Sequence, residues 1–387
     1  MIGTRQMPVP RLCARLLPLV MWTGLVAGIT SCSGSAPIRI GLMSTFGDPL
    51  GKPLRLGAQL AVAEVNAAGG IDGHLLELVE AEDGANMDTA AAAAATLAKS
   101  DVVAVIGGAF SGPTLGAAPV FNDERNPVLQ ITPSGTNPDI SEEGDWTFRA
   151  CPSDLSHAAA LARFVRQNLR LERAAVLYLN NNYGRGFRSA FEEEFRKLGG
   201  TITSSDPYLA EKVKDVSPYL ERIQKDGRAQ ALVTVSYVDD AGEILRMARG
   251  RGITLPVLGG DGLEGIERAG AVSEGVYESA AYLANVQTTR NVEFVAKYKK
   301  MFPSEPLPNN TAAATYDTVL LLAQLMREVG TDRRALRDAL AAVGTGRPAY
   351  EGVLGRMAFD AAGDVPDMQV LIAQVHGGSV AAVEGGR

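Results

Sequence analysis

Histidine and cysteine are scarce in this 387-residue chain, three of each, and that scarcity removes much of the chemistry a protein of this size could carry. No Cys/His pair stands at ligand spacing, so no metal site is expected. His74, His157 and His376 are scattered, which leaves a serine–histidine pair to chance. Cys13 and Cys32 fall near the N-terminus and Cys151 stands alone, so no internal disulfide is expected to brace the body of the protein. Positive charge is short as well: the formal net charge is −7, which argues against a nucleic-acid partner. Cofactor signatures are missing too. "GDPLGKPL" (47–54) is one residue short of a phosphate-cradling loop and carries Pro53 after the lysine. No G-x-G-x-x-G follows a strand pattern, and neither Ser111 nor Ser134 sits in a G-x-S-x-G elbow. No cofactor is expected, and nothing recommends an enzyme.

What is present begins with an export layout. Arg5, Arg11 and Arg15 precede an apolar run from Leu16 to Ile29, and "ITSC" (29–32) follows with small residues before Cys32. Those four residues resemble a bacterial lipobox. The resemblance implies cleavage before Cys32 and a lipid on its thiol, which would tie the protein to a membrane. An ordinary secretory signal and an uncleaved anchor are the alternatives, since the apolar run is only slightly short of a span. Residues 1–31 are read as signal peptide and 32–37 as a lipidated linker.

Beyond Pro37 the chain is ordinary globular material, 46% hydrophobic and 21% charged overall. Apolar runs at 38–43, 75–83, 102–107 and 127–132 alternate with helical patterns at 52–68, 88–99 and 113–124. A second series has strands at 174–179, 201–209, 231–236 and 256–260, separated by helices at 154–169, 185–198, 215–226 and 239–250. Such alternation means parallel sheets covered by helices on both faces, and the strand count points to two sheets. Three further helices (289–301, 311–328, 333–343) lead to a hairpin at 352–364 and a last strand at 368–375. Linker-like breaks fall near 150–153, 275–282 and 346–352.

In parallel sheets, ligand-binding loops follow the carboxyl ends of strands. Small polar and aromatic groups gather in those places here: Ser111, Ser134 and Thr136 in the first series, Tyr183, Tyr237 and Asp261 in the second. The set suits an amino-acid zwitterion. Hydroxyls and backbone amides receive a carboxylate, an acid receives an ammonium, and the rings cover the remainder. Each residue also has a purely structural alternative. Ser111 or Asp261 could cap a helix, Ser134 and Thr136 could stabilise a turn, and the tyrosines could be rim aromatics. The Asn180–Asn182 run reads as a solvated turn.

"NAAGGIDGHLLELVEAED" (66–83), "VIGGAFSGPT" (105–114), "ITPSGTNP" (131–138), "YGRGF" (183–187) and "FDAAGD" (359–364) together resemble the type I periplasmic binding proteins of the branched-chain amino-acid family. The likeness covers about residues 38 to 375. It implies two Rossmann-like α/β lobes joined by a three-crossover hinge and closing on a ligand. Lobe 1 would take 38–150 and 279–350, and lobe 2 would take 151–278 and 351–387. It also implies that Ser111, Ser134 and Thr136 bind the ligand's α-carboxylate and α-ammonium from lobe 1 while Tyr183, Tyr237 and Asp261 close from lobe 2. Asp261 stands where the leucine/isoleucine/valine binders have glutamate, and Leu50 where an aromatic residue is expected. The implied role is substrate-binding lipoprotein of an ABC importer, serving a permease and ATPase complex and taking a branched-chain or related amino acid. A ligand sensor of the same fold, and more remotely a serine hydrolase using Ser111 or Ser134 with His157 or His376, are the rival readings.

Overall fold

Strands that are apolar on both faces need cover on both faces, and the computed structural model, which describes residues 36–49 and 51–386, provides it. The export segment, Cys32 and Leu50 lie outside the described residues. In the first lobe β1 (Ile38–Ser44), α1 (Lys52–Ala67), β2 (Leu76–Glu82), α2 (Met87–Ala98), β3 (Val102–Gly107), α3 (Ser111–Phe121), β4 (Leu129–Thr132) and β5 (Thr147–Arg149) build a parallel sheet. Its order is β2-β1-β3-β4-β5. Alternate residues of β1 go to opposite sides, so Ile40 and Leu42 join one core while Met43 joins another with Leu97, Val105 and Phe121.

The second lobe starts with α4 (Asp154–Arg163), whose last turn widens into a π-helix over Phe164–Asn168. Then come β6 (Arg173–Leu179), α5 (Asn182–Lys197), β7 (Thr201–Tyr208), α6 (Ser217–Asp226), β8 (Ala231–Val235), α7 (Val238–Gly250), β9 (Val257–Gly259) and β10 (Tyr277–Ala280). Strands β6 to β10 are parallel, with cores on both faces.

The chain then returns to the first lobe. Helices α8 (Thr289–Met301), α9 (Asn310–Val329) and α10 (Arg333–Ala341) pack on the β1 face through Phe294, Tyr316, Leu322 and Leu336. Gly57 makes the α1–α9 contact possible, because a Cβ there would lie 2.2 Å from the Ala312 carbonyl oxygen. A short hairpin follows, β11 (Tyr350–Glu351) with β12 (Arg356–Met357). Finally β13 (Leu371–His376) and β14 (Ser379–Ala382) complete the second sheet, in the order β14-β13-β10-β9-β8-β6-β7.

Four differences from the expected organisation have physical causes. Residues 275–282 hold a strand, β10, not only a linker; "YESA" has no apolar alternation to announce it. Three-residue β5 is too short to stand out. The last two strands pair antiparallel, β13 with β10 and β14 with β13, so the second sheet is mixed. The final crossing does not fall near 350. Met357, Phe359, Val365 and Met368 are buried in the first lobe's core, so residues 351–368 belong there and the chain crosses between Met368 and Leu371.

Candidate functional site

Each sheet reverses its winding at one place, between β1 and β3 in the first lobe and between β6 and β8 in the second. Loops diverge there and leave a crevice at the strand ends. The two crevices face each other. Ser111, Ser134, Thr136, Tyr183, Tyr237 and Asp261, the six residues singled out from sequence, all line a single cavity between them, which adjoins a more open one.

The wall from the first lobe supplies donors. Helix α3 begins at Ser111, and Phe110 stands at its N-cap position, so Ser111 does not cap it. Its Oγ accepts a hydrogen bond from the Asn137 N–H at 3.2 Å, while the first-turn N–H groups of α3 have no intrahelical acceptor. Ser134 Oγ donates to the Ala109 carbonyl at 2.8 Å. Thr136 is 1% exposed, and its hydroxyl lies beside the fully buried Asp154 carboxyl.

The loop carrying Ser134 and Thr136 is held by a residue the sequence did not single out. Arg149, fully buried, donates from Nη1 to the carbonyls of Gly135 (3.1 Å) and Asn137 (2.9 Å). Its Nη2 reaches Ser141 Oγ at 2.6 Å, and its Nε pairs with Asp364 Oδ1 at 2.8 Å. The "SGTNP" and "FDAAGD" motifs are therefore two ends of one clamp.

The second lobe supplies rings and acid. Tyr183 and Tyr237 stack with centroids 5.3 Å apart, and Phe110 meets Tyr237 edge-on across the cleft, also at 5.3 Å. Tyr183 donates its hydroxyl proton to Asp261 Oδ1 at 3.2 Å and accepts from the Gly262 N–H at 3.1 Å. Gly260 permits this approach, since a Cβ there would lie 2.6 Å from the Tyr183 hydroxyl. Asp261 opens a short 3-10 turn but does not cap it; Gly260 holds the cap position. The asparagine run is more than a solvated turn: Asn181 Oδ1 caps α5 by accepting from the Gly184 N–H at 2.8 Å.

Sequence reasoning also passed over two acids. Glu264 accepts from the Asn310 N–H at the start of α9, 2.8 Å away, so this bond spans the lobes. Burial pushes its carboxyl up to about 8 despite that bond. Glu278 on β10 is 3% exposed, and burial followed by the charges of Glu264, Glu267 and Asp261 raises its pKa well above the usual carboxylate range. A single glutamate in a four-residue strand carries no distinguishing pattern in sequence.

The histidines are engaged elsewhere. His157 Nδ1 lies 3.1 Å from Ser279 Oγ, and burial lowers its pKa. His376 lies 2.9 Å from Glu274 Oε1 and His74 2.7 Å from the Ala36 carbonyl. The hydroxyls of Ser111 and Ser134 are engaged with the Asn137 N–H and the Ala109 carbonyl, not with a histidine. Cys151 is buried and free, and burial raises its thiol pKa. Among the described residues no group of acids, histidines and cysteines is placed to hold a metal, and no helix is long and apolar enough to cross a membrane.

A facing pair of doubly wound lobes with one cleft is the architecture of a known family, and the sequence match agrees: the Periplasmic binding protein family matches residues 37–379. The chain belongs to the periplasmic binding protein family. It falls with the type I, branched-chain amino-acid group. A Leu/Ile/Val-binding protein homolog 3 of Brucella melitensis is 27% identical over 356 residues, covering 90% of this chain and 94% of that one. The substrate-binding protein LivJ of a branched-chain amino acid transporter from Streptococcus pneumoniae, in complex with isoleucine, superposes with a TM-score of 0.80. It is 27% identical, with 89% of this chain and 98% of that chain covered. An ABC transporter substrate-binding protein from Desulfitobacterium hafniense in complex with Leu gives 0.76 at 28% identity, with coverage of 90% and 100%.

Proposed function

We propose that this periplasmic binding protein is the extracytoplasmic substrate-binding component of an ABC importer and holds an amino acid between its lobes. The observation that carries the reading is the two-sided cleft, with hydroxyl and amide donors on one wall and Asp261 with two stacked tyrosines on the other. Ser111, Ser134, Thr136 and the first turn of α3 receive the α-carboxylate, whose negative charge suits a helix N-terminus. Asp261, already oriented by Tyr183, receives the α-ammonium in a charge-assisted hydrogen bond. Tyr183 and Tyr237 cover the ligand.

Contacts from both lobes favour the closed arrangement, and a permease would read that arrangement. The relatives that carry isoleucine and leucine support an amino-acid ligand. Export and attachment to a membrane through a lipid on Cys32 complete the proposal, placing the protein in the periplasm or on the cell surface.

A thermal-shift screen of protein unfolded and refolded to remove carried-over ligand tests this reading. A ligand at 100 times its Kd adds about 2.7 kcal/mol, enough to raise the midpoint by a few degrees. A rise with α-amino acids that is lost in Asp261→Ala is expected. A rise only with carboxylates lacking an amine would remove Asp261 from its role.

A further inference from the structure

The cleft holds more carboxyl groups than a zwitterion needs. Asp261, Glu264 and Glu278 all line it, while Lys52, Arg185 and Arg268 line the adjoining, more open cavity that shares Phe110, Tyr237, Glu264 and Asn309 with it. One acid answers the α-ammonium. Two remain, and they differ in how they are held. Glu264 is tied to the Asn310 N–H at the positive end of α9. Glu278 has no such partner: it is 3% exposed, and its Oε2 is buried without a hydrogen bond. The Tyr282 hydroxyl, on the wall of the same cavity, is likewise buried and unpartnered.

An aliphatic side chain placed there would leave the Glu278 carboxyl and the Tyr282 hydroxyl without partners, an arrangement that costs free energy. A metal ion does not resolve it, since the three acids do not converge as a ligand set. An organic cation on a flexible stem does: it pairs with the Glu278 carboxyl as that group gives up its proton to solvent.

We propose that the bound amino acid carries a basic side chain whose cationic group is received by Glu278, assisted by Glu264 and Tyr282. This rests on the amino-acid reading above and specifies its substrate class. The α-carboxylate faces Ser111 and Thr136, the α-ammonium faces Asp261, and the second cation lies at β10, beside the crossing to the first lobe. The family's aliphatic ligands would then be poor ones for this chain.

Calorimetric titration of the refolded protein with matched pairs tests it: lysine against norleucine, arginine against citrulline, and cadaverine as lysine without its carboxylate. At least one basic amino acid is expected to bind 100-fold or more tightly than its neutral partner, and Glu278→Gln to cut that ratio at least tenfold. Norleucine, citrulline or leucine binding as tightly as the basic amino acids would overturn the proposal while leaving an amino-acid binder in place. An undiminished ratio in Glu278→Gln would overturn the assignment to Glu278. Cadaverine matching lysine, or no amino acid binding at all, would overturn the amino-acid reading and this proposal with it.

Discussion

Glu264 shows how one side chain can couple the cleft to pH. Burial holds its carboxyl at about 8, so the folded protein keeps a proton that the unfolded chain releases near the ordinary glutamate value of 4.5. The folded state then binds more protons than the unfolded one between those two values, and stability falls as pH rises through that window. Asp317, pushed up to about 7 by its burial, acts in the same direction. Urea unfolding from pH 5 to 9 should therefore show declining stability, with a shallower decline in Glu264→Gln, whose amide oxygen can still accept from Asn310. Equal slopes in the two proteins would show that Glu264 is not held protonated by the fold. Residues such as Ser111 and Asp261 were legible in the sequence because they follow strand ends, where loops meet ligands. Glu264 and Glu278 were not, because what distinguishes them is burial and lack of partners, and both depend on contacts far away in the chain.

Most strands and helices could be read in advance because their apolar spacing is long and regular, as in β1, β3 and the amphipathic α5. The misses were short elements, β5, β10 and β14, whose pairing comes from neighbouring strands rather than from their own residues. The clamp of Arg149 belongs to the same class of hidden features. It joins β5, the loop after β4 and the turn before β13 across a sequence separation of 215 residues to Asp364. Replacing it with methionine leaves two carbonyls, a hydroxyl and a partly buried carboxylate without their donor. Loss of one partner of a buried ion pair costs about 3–5 kcal/mol. Denaturant unfolding of Arg149→Met is expected to show a loss of that order together with weaker ligand binding, since the Thr136 loop is released. A change under about 1 kcal/mol would mean that the loop is held by other contacts.

At the scale of the described chain, two lobes enclose the cleft and the chain passes between them, the last time between Met368 and Leu371. Contacts that bridge the lobes in the described structure include Asn137 Nδ2 to the Asn182 carbonyl at 2.6 Å, the Asp154 N–H to the Thr136 carbonyl at 2.7 Å, Glu264 to Asn310, and the Phe110–Tyr237 ring pair. These are mostly polar, and a ligand that touches both walls would add to them. The final crossing illustrates what pattern reading could not supply: a glycine-rich stretch near 350 has the composition of a hinge, yet burial of Met357 and Phe359 binds it to the first lobe. The central claim is that the two lobes divide the recognition of one α-amino acid, carboxylate on one side and ammonium on the other. It is tested most directly by titrating the refolded protein with its best amino acid, with the N-acetyl derivative, and with the carboxamide. Each derivative removes one charge and should bind at least 100-fold more weakly than the parent. Either derivative binding as tightly as the parent would contradict the account.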